Sequence, residues 1–236
     1  YRRQRQMCIR DRCATKDSKT QFRKEFLKTQ LSELVSVLEE KEVRAPQDLT
    51  IGGLALDSRE TGEGTLFFAL PGEKEDGGDY IAEAKARGAV CAVCEQPPET
   101  EIPYILVPDA HKALALCAAV WYGTPAGKLT VVGVTGTNGK TTTTCLIKQL
   151  LERTKGAKVG LIGTNQNLIG ESAVPAERTT PDALTLQRLL AQMVDAGCTY
   201  AVMEVSSHAL MQKRVEGIRF RVGVFTNLTQ LSLIHI

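Results

Sequence analysis

The sequence predicts an α/β protein built around a mostly parallel sheet. Three observations carry that expectation. Short apolar runs alternate with segments of helical period along most of the chain. A glycine-rich turn, GVTGTNGKTTTT (133–144), leads out of one such strand and into one such helix. Glycine and proline cluster at GTPAGK (123–128), and the strand–helix rhythm restarts beyond it, so a domain boundary is expected there.

The elements follow in order. LSELVSVLEE (31–40) puts Leu31, Leu34, Val35 and Leu38 on one helical face. TLFFAL (65–70) reads as a buried strand closed by Pro71 and Gly72, and YIAEAKARG (80–88) as a helix ending at Gly88. AVCAV and YILV (104–107) are strands. Residues 109–123 form a helix with Asp109 as N-cap and Gly123 past its end. After the boundary come strand KLTVVGVT, helix GKTTTTCLIKQLLERTK and strand KVGLIGT. A helix opened by Pro181 follows, with Thr180 as its expected N-cap. TYAVMEVSS is a strand, HALMQKR a short helix and FRVGVFTNL a last strand. Apolar strands joined through helices imply right-handed parallel crossovers.

Composition narrows the function classes. The 236 residues are 43% hydrophobic and 24% charged, as expected of a soluble globular protein. No apolar run is long enough to span a bilayer, and no apolar stretch follows the basic start as a signal peptide requires. The net charge of +2 is concentrated at one end. Residues 1–12 hold five arginines and one aspartate, leaving 24 basic and 26 acidic residues, a balance of −2. With no basic stripe elsewhere, neither a nucleic acid nor a membrane is an expected partner. Seven scattered cysteines suggest reduced thiols and a cytoplasmic location. Cys91 and Cys94 have the spacing of a ligand pair, but in a strand positions i and i+3 face opposite ways, which favours two core thiols.

The loop at 133–144 carries the first chemical signal. Its spacing, G-x-x-G-x-x-G-K-T, is a variant of the phosphate-binding P-loop, with Val134 where the usual pattern has glycine. Gly136 and Gly139 let the backbone curl close to an anion, and amides at a helix start attract one. Lys140 suits the terminal phosphates of a nucleotide, and Thr141 suits Mg²⁺. Thr141 and Thr142 fall in the first helical turn. The second signal is MEVSSHALMQKR (203–214), at the carboxyl end of a strand, where open α/β sheets bind ligands. Glu204 is placed to hold Mg²⁺. Ser206 and Ser207 suit either an N-cap or a ligand, and His208 either catalysis or a plain turn. RTTPD (178–182) can meet anionic groups if it faces the phosphate loop.

GTNGKTTTT, RTTPD, EVSSHALMQKR and VFTNLT, in that order, make the chain resemble the Mur ligases, over roughly residues 28 to 230. LALDSRETGEGTLFFALPG (54–72, with the DSR element) resembles that family's UDP-binding domain. Within the family the likeness is to enzymes adding the third residue of the peptidoglycan stem peptide. The resemblance implies a small UDP-binding α/β domain (28–123) and a P-loop-type central domain (124–230). It implies ATP-dependent amide formation on UDP-N-acetylmuramoyl-L-alanyl-D-glutamate through an acyl phosphate, with diaminopimelate or lysine as acceptor. Gly136, Thr137, Asn138, Gly139, Lys140, Thr141 and Thr142 would hold ATP, with Thr141 and Glu204 on Mg²⁺. Lys140, Glu204 and His208 would serve catalysis. Leu56 and Ser58 would meet the uridine, and Thr179, Thr180, Ser206, Gln212 and Arg214 the muramoyl dipeptide. Arg178 and Glu73–Glu75 occupy places that vary among relatives. The alternatives are a folylpolyglutamate-type ligase, the ligase of the terminal dipeptide, or a non-catalytic nucleotide-binding module.

Residues 1–27 and 231–236 are expected to be non-native or a tail. The chain is expected to lack the family's amino-acid-binding domain, to be inactive alone, to be a monomer, and to expose an apolar sheet edge.

Overall fold

The computed structural model describes residues 28–46, 48–72 and 75–229. The expectations for Cys8, Cys13, Glu73, Lys74 and both chain ends lie outside them.

The chain forms β1 (Thr29–Gln30), α1 (Leu31–Val35), β2 (Glu42–Arg44), β3 (Thr50–Ile51), β4 (Gly53–Ala55), β5 (Thr65–Phe68), α2 (Ile81–Ala86), β6 (Ala89–Cys94), β7 (Tyr104–Leu106) and α3 (Ala110–Trp121). A five-stranded sheet in the order β2-β7-β6-β5-β4 gathers most of this half, parallel except for β2 against β7. All four residues of β5 are buried, as its unbroken apolar run requires. Leu31, Leu34, Val35 and Leu38 all go into the core, although the helix itself stops at Val35. Asp109 caps α3 by accepting the Lys112 amide (2.8 Å), and Gly123 beyond its end takes φ +69°. Cys91 and Cys94 enter different apolar clusters, on opposite faces of β6. Burial pushes their thiols up to about 12 and about 11.

The second half runs β8 (Thr130–Thr135), α4 (Lys140–Lys155), β9 (Val159–Ile162), β10 (Asn167–Ile169), β11 (Ser172–Val174), α5 (Ala183–Asp195), β12 (Tyr200–Glu204), α6 (Ser207–Met211) and β13 (Val222–Phe225). Its sheet has the order β11-β10-β9-β12-β8-β13. The four strands β9, β12, β8 and β13 are parallel, so their carboxyl ends share one margin of the sheet. The hairpin β10–β11, antiparallel to β9, was not expected: its strands are only three residues long and half exposed, too short for a clear alternation. β13 forms the other edge, with Val222 and Phe225 exposed.

One expected cap is corrected. Asp182, not Thr180, caps α5, accepting the Thr185 amide (2.8 Å). Pro181 therefore precedes the helix, which starts at Ala183. The Thr180 hydroxyl is engaged by β12 instead, as described below. Ala183 packs into the core of the first half, so α5 bridges the two halves beside α3. Among the described residues no helix is long and apolar enough to cross a membrane.

Candidate nucleotide and substrate site

The site begins where β8 ends. Val131, Val132 and Val134 are buried and anchor the strand, so the turn at Gly136–Gly139 is delivered at the sheet's carboxyl margin. Gly136 has φ +129°, and a Cβ there would stand 2.2 Å from Thr226 Oγ1. Only glycine fits both the dihedral and the space. The Lys140 ammonium closes over the turn and donates to the carbonyls of Gly136 (2.8 Å) and Thr137 (3.2 Å). Thr143 is the first residue of α4 whose amide bonds back along the helix, to Gly139 O (2.9 Å). The amides ahead of it are those a helix start leaves for a ligand. Among the described residues, nothing lies within 4 Å of where a side chain at Gly139 would begin.

Glu204, at the end of β12, is paired in register with Val134 and is only 1% exposed. A buried carboxylate needs donors, and three converge on it. Thr141 Oγ1 reaches Oε2 (3.1 Å), the Thr164 amide reaches Oε1 (2.9 Å), and Thr164 Oγ1 reaches Oε2 (3.1 Å). The carboxylate lies so close to the backbone of Gly163 that a Cβ there would sit 2.4 Å from Oε1. Thus Thr141 and Glu204, 63 residues apart along the chain, meet directly, with Lys140 next to Thr141 at the start of α4.

The loop at 178–182 is tied to the same strand. Thr180 Oγ1 donates to Glu204 O (2.9 Å) and accepts from the Ser206 amide (3.0 Å), while Thr179 Oγ1 lies 3.0 Å from Thr164 Oγ1. Ser206 caps α6 through its own hydroxyl, which accepts the Ala209 amide (3.2 Å). Arg214 donates to Thr180 O (2.8 Å) and to Gln212 Oε1 (3.0 Å). Burial, and then the like charge of Arg178, lower the Arg214 guanidinium from its ordinary value. A cavity of ≈ 100 Å³ opens between the two halves. Arg178, Asp182, Gln212 and Arg214 line one side, and Leu56, Leu70 and His111 the other.

Not every expected residue joins these groups. Ser58 is buried in the first half, where its hydroxyl donates to Glu83 (2.8 Å), away from the cavity that Leu56 lines. Thr142 is exposed on the first turn of α4. His208 is exposed on α6, and its ring makes no hydrogen bond among the described residues. Three contributors were not anticipated. Thr164 follows β9 at the same sheet margin, a position that the strand-end rule could have flagged. Thr226 and Asn227 follow β13 and brace the phosphate loop. Thr226 Oγ1 (2.7 Å) and Asn227 Nδ2 (3.0 Å) both donate to Asn138 O, and the Asn138 amide donates back to Asn227 Oδ1 (3.1 Å). Thr137 is held there too, its amide donating to Asn227 O (2.9 Å).

Comparison with known proteins finds two domain families along the chain: Mur ligase family, catalytic domain, at residues 50–122, and Mur ligase middle domain, at residues 134–233. The chain belongs to the Mur ligase family. A UDP-N-acetylmuramoyl-L-alanyl-D-glutamate–2,6-diaminopimelate ligase of Geobacillus kaustophilus is 51% identical over 180 residues, 76% of this chain and 37% of the relative. A ligase of the same name from Bacteroides fragilis is 45% identical over 203 residues, 85% of this chain and 42% of the relative. A solved structure of such a ligase superposes with a TM-score of 0.73 at 27% identity, over 89% of this chain and 42% of that one. The chain thus spans about two fifths of the length of these Mur ligases.

Proposed function

We propose that this chain carries the nucleotide-holding and dipeptide-holding parts of an ATP-dependent ligase, which joins 2,6-diaminopimelate to UDP-N-acetylmuramoyl-L-alanyl-D-glutamate in peptidoglycan synthesis. The acceptor amino acid is taken from the names of the relatives. The reading includes a cytoplasmic monomer, with a domain boundary at 123–128. The observation that carries it is the buried Glu204 carboxylate, bonded to the Thr141 hydroxyl beside an open glycine turn.

The residues present fit a magnesium nucleotide. Magnesium takes oxygen donors and is commonly held by one or two protein oxygens, with phosphate oxygens and water completing its shell. Thr141 and Glu204 are such a pair. The turn offers helix-start amides and the Lys140 charge to the phosphates. When bound, ATP with its metal supplies the phosphoryl group that activates a carboxylate for attack by an amine. The chain's own part is alignment and charge neutralisation. Lys140 sits over the turn, ready to exchange two carbonyl partners for phosphate oxygens. Thr226 and Asn227 keep the turn in shape. Across the cavity, Arg214, fixed by Gln212 and Thr180, offers a positive charge to the carboxylates of the dipeptide, and Thr179 and Ser206 offer hydroxyls. Leu56 provides an apolar wall for the uridine end, with Ser58, two residues further along the chain, as its second contact. We keep His208 as a candidate whose exposed ring is free to meet a ligand.

The test is calorimetric titration of the chain with an ATP analogue, with magnesium and with a chelator. Binding that requires magnesium is expected. Glu204→Gln should weaken it by about tenfold or more, the worth of a lost charged contact. Nucleotide uptake indifferent to magnesium and to Glu204→Gln would refute the reading.

A further inference from the structure

We propose that Thr164 is a positioning residue that couples the nucleotide side of the site to the dipeptide side. This rests on the function proposed above and adds to it a residue and a linkage. Thr164 stands two residues past the end of β9, at the start of the connection to β10, and holds the Glu204 carboxylate twice, through its amide to Oε1 (2.9 Å) and its hydroxyl to Oε2 (3.1 Å). The same hydroxyl lies 3.0 Å from Thr179 Oγ1. A hydroxyl has one hydrogen to give, and a carboxylate only accepts. The hydrogen of Thr164 therefore goes to Glu204, and that of Thr179 to Thr164. The result is one directed line, Thr179 to Thr164 to Glu204, with Thr141 donating to the same Oε2.

That line joins two groups with different duties. Glu204 and Thr141 are the oxygen pair proposed for the metal, whereas Thr179 belongs to the loop proposed to grip the dipeptide. The main chain of the loop is secured separately, by Thr180 on Glu204 O and the Ser206 amide and by Arg214 on Thr180 O. The orientation of the Thr179 hydroxyl thus depends on Thr164, and through it on where the carboxylate sits. A metal nucleotide that draws on Thr141 and Glu204 resets the partner that Thr164 holds. Thr179 is thereby turned toward or away from the second substrate. By linkage the effect is reciprocal: whatever factor the nucleotide adds to dipeptide affinity, the dipeptide adds to nucleotide affinity. A purely local role for Thr164 needs only its amide, which a substitution of the side chain leaves in place.

The test measures affinity of the chain for UDP-N-acetylmuramoyl-L-alanyl-D-glutamate, by calorimetry, without and with saturating magnesium and a non-hydrolysable ATP analogue. The ratio of the two dissociation constants is the coupling factor. Thr164→Val keeps shape and amide and removes the hydroxyl. It should bring the coupling factor about fivefold closer to one, the worth of one hydroxyl hydrogen bond, and because the factor is a ratio this holds whatever the variant does to dipeptide affinity in the absence of nucleotide. Thr164→Ser should restore the factor. If the valine variant does not fold, as judged by its thermal melt, Thr164→Ala makes the same cut. An unchanged factor in the variants would overturn the inference. So would a factor of one in the unsubstituted chain when both ligands bind, and in that case the proposed function would stand. Failure of the unsubstituted chain to bind either ligand would overturn both.

Discussion

The two sheets share an architecture and differ in what they bury. In the first, the interior is almost wholly apolar: Leu66, Phe67, Phe68, Cys91, Val93 and Ile105 are all 1% exposed or less, and Ser58 and Thr65 are its buried polar residues. The second buries Thr144, Lys148, Asn167, Thr180, Gln187 and Glu204. Nearly all of these are matched. Asn167 accepts from the Gly163 amide (3.3 Å) and donates to Pro175 O (3.2 Å), Thr144 donates to Thr141 O (2.9 Å), and Lys148 pairs with Glu152. Gln187 has neither amide atom paired among the described residues. The contrast separates packing from chemistry. The interior of the first sheet is apolar packing on a backbone ladder. The second sheet carries a charged and hydroxylated layer at its carboxyl margin, and each member has to be offset by a partner.

The largest expected effect sharpens the packing side. Phe67→Ala removes a fully buried ring from the first sheet and should lower stability by about 4 kcal/mol in chemical denaturation. A loss no larger than that of a surface substitution would break the contrast. Next comes Gln187. Replacing it by leucine removes two unpaired polar atoms from an interior site and should raise stability by about 1–2 kcal/mol. A lower denaturation midpoint would mean that the polar interior of the second sheet is fully satisfied there as well. The smallest effect tests charge outside both cores. Arg59 grips Asp57 through Nε (2.9 Å) and Nη2 (2.6 Å), and these bonds hold its carboxyl at about 2, below the ordinary 3.8. A lowered carboxyl adds stability at pH values above its unfolded value, and that stability disappears as pH falls through its folded value. The pair is exposed, so the contribution is slight. Asp57→Asn should flatten the fall in denaturation midpoint between pH about 4 and about 2, and an unaltered pH profile would deny the pair any role.

Much of this was legible in the sequence because it is local. A run such as TLFFAL needs no partner information to read as a buried strand, and Asp109 and Gly123 mark their helix by their own chemistry. The phosphate turn is likewise written within twelve consecutive residues. What sequence reading missed depends on which strands lie side by side. Thr164 and Asn227 are ordinary polar residues until the order β9-β12-β8-β13 sets their strand ends beside Glu204 and Asn138. The Thr180 cap failed for the same reason: its hydroxyl has better partners on β12 than on the helix that follows it. The separation of Cys91 from Cys94, by contrast, follows from the period of a single strand and held.

The bracing of the phosphate turn by Thr226 and Asn227 bears on how the protein matures. Those bonds join residues 88 and 89 apart along the chain, and closing so long a span costs chain entropy before the contact can reward it. A phosphate cradle completed only when β13 docks cannot hold nucleotide on a half-made sheet. Nucleotide capture would then stabilise the finished fold alone, drawing the population toward it by mass action.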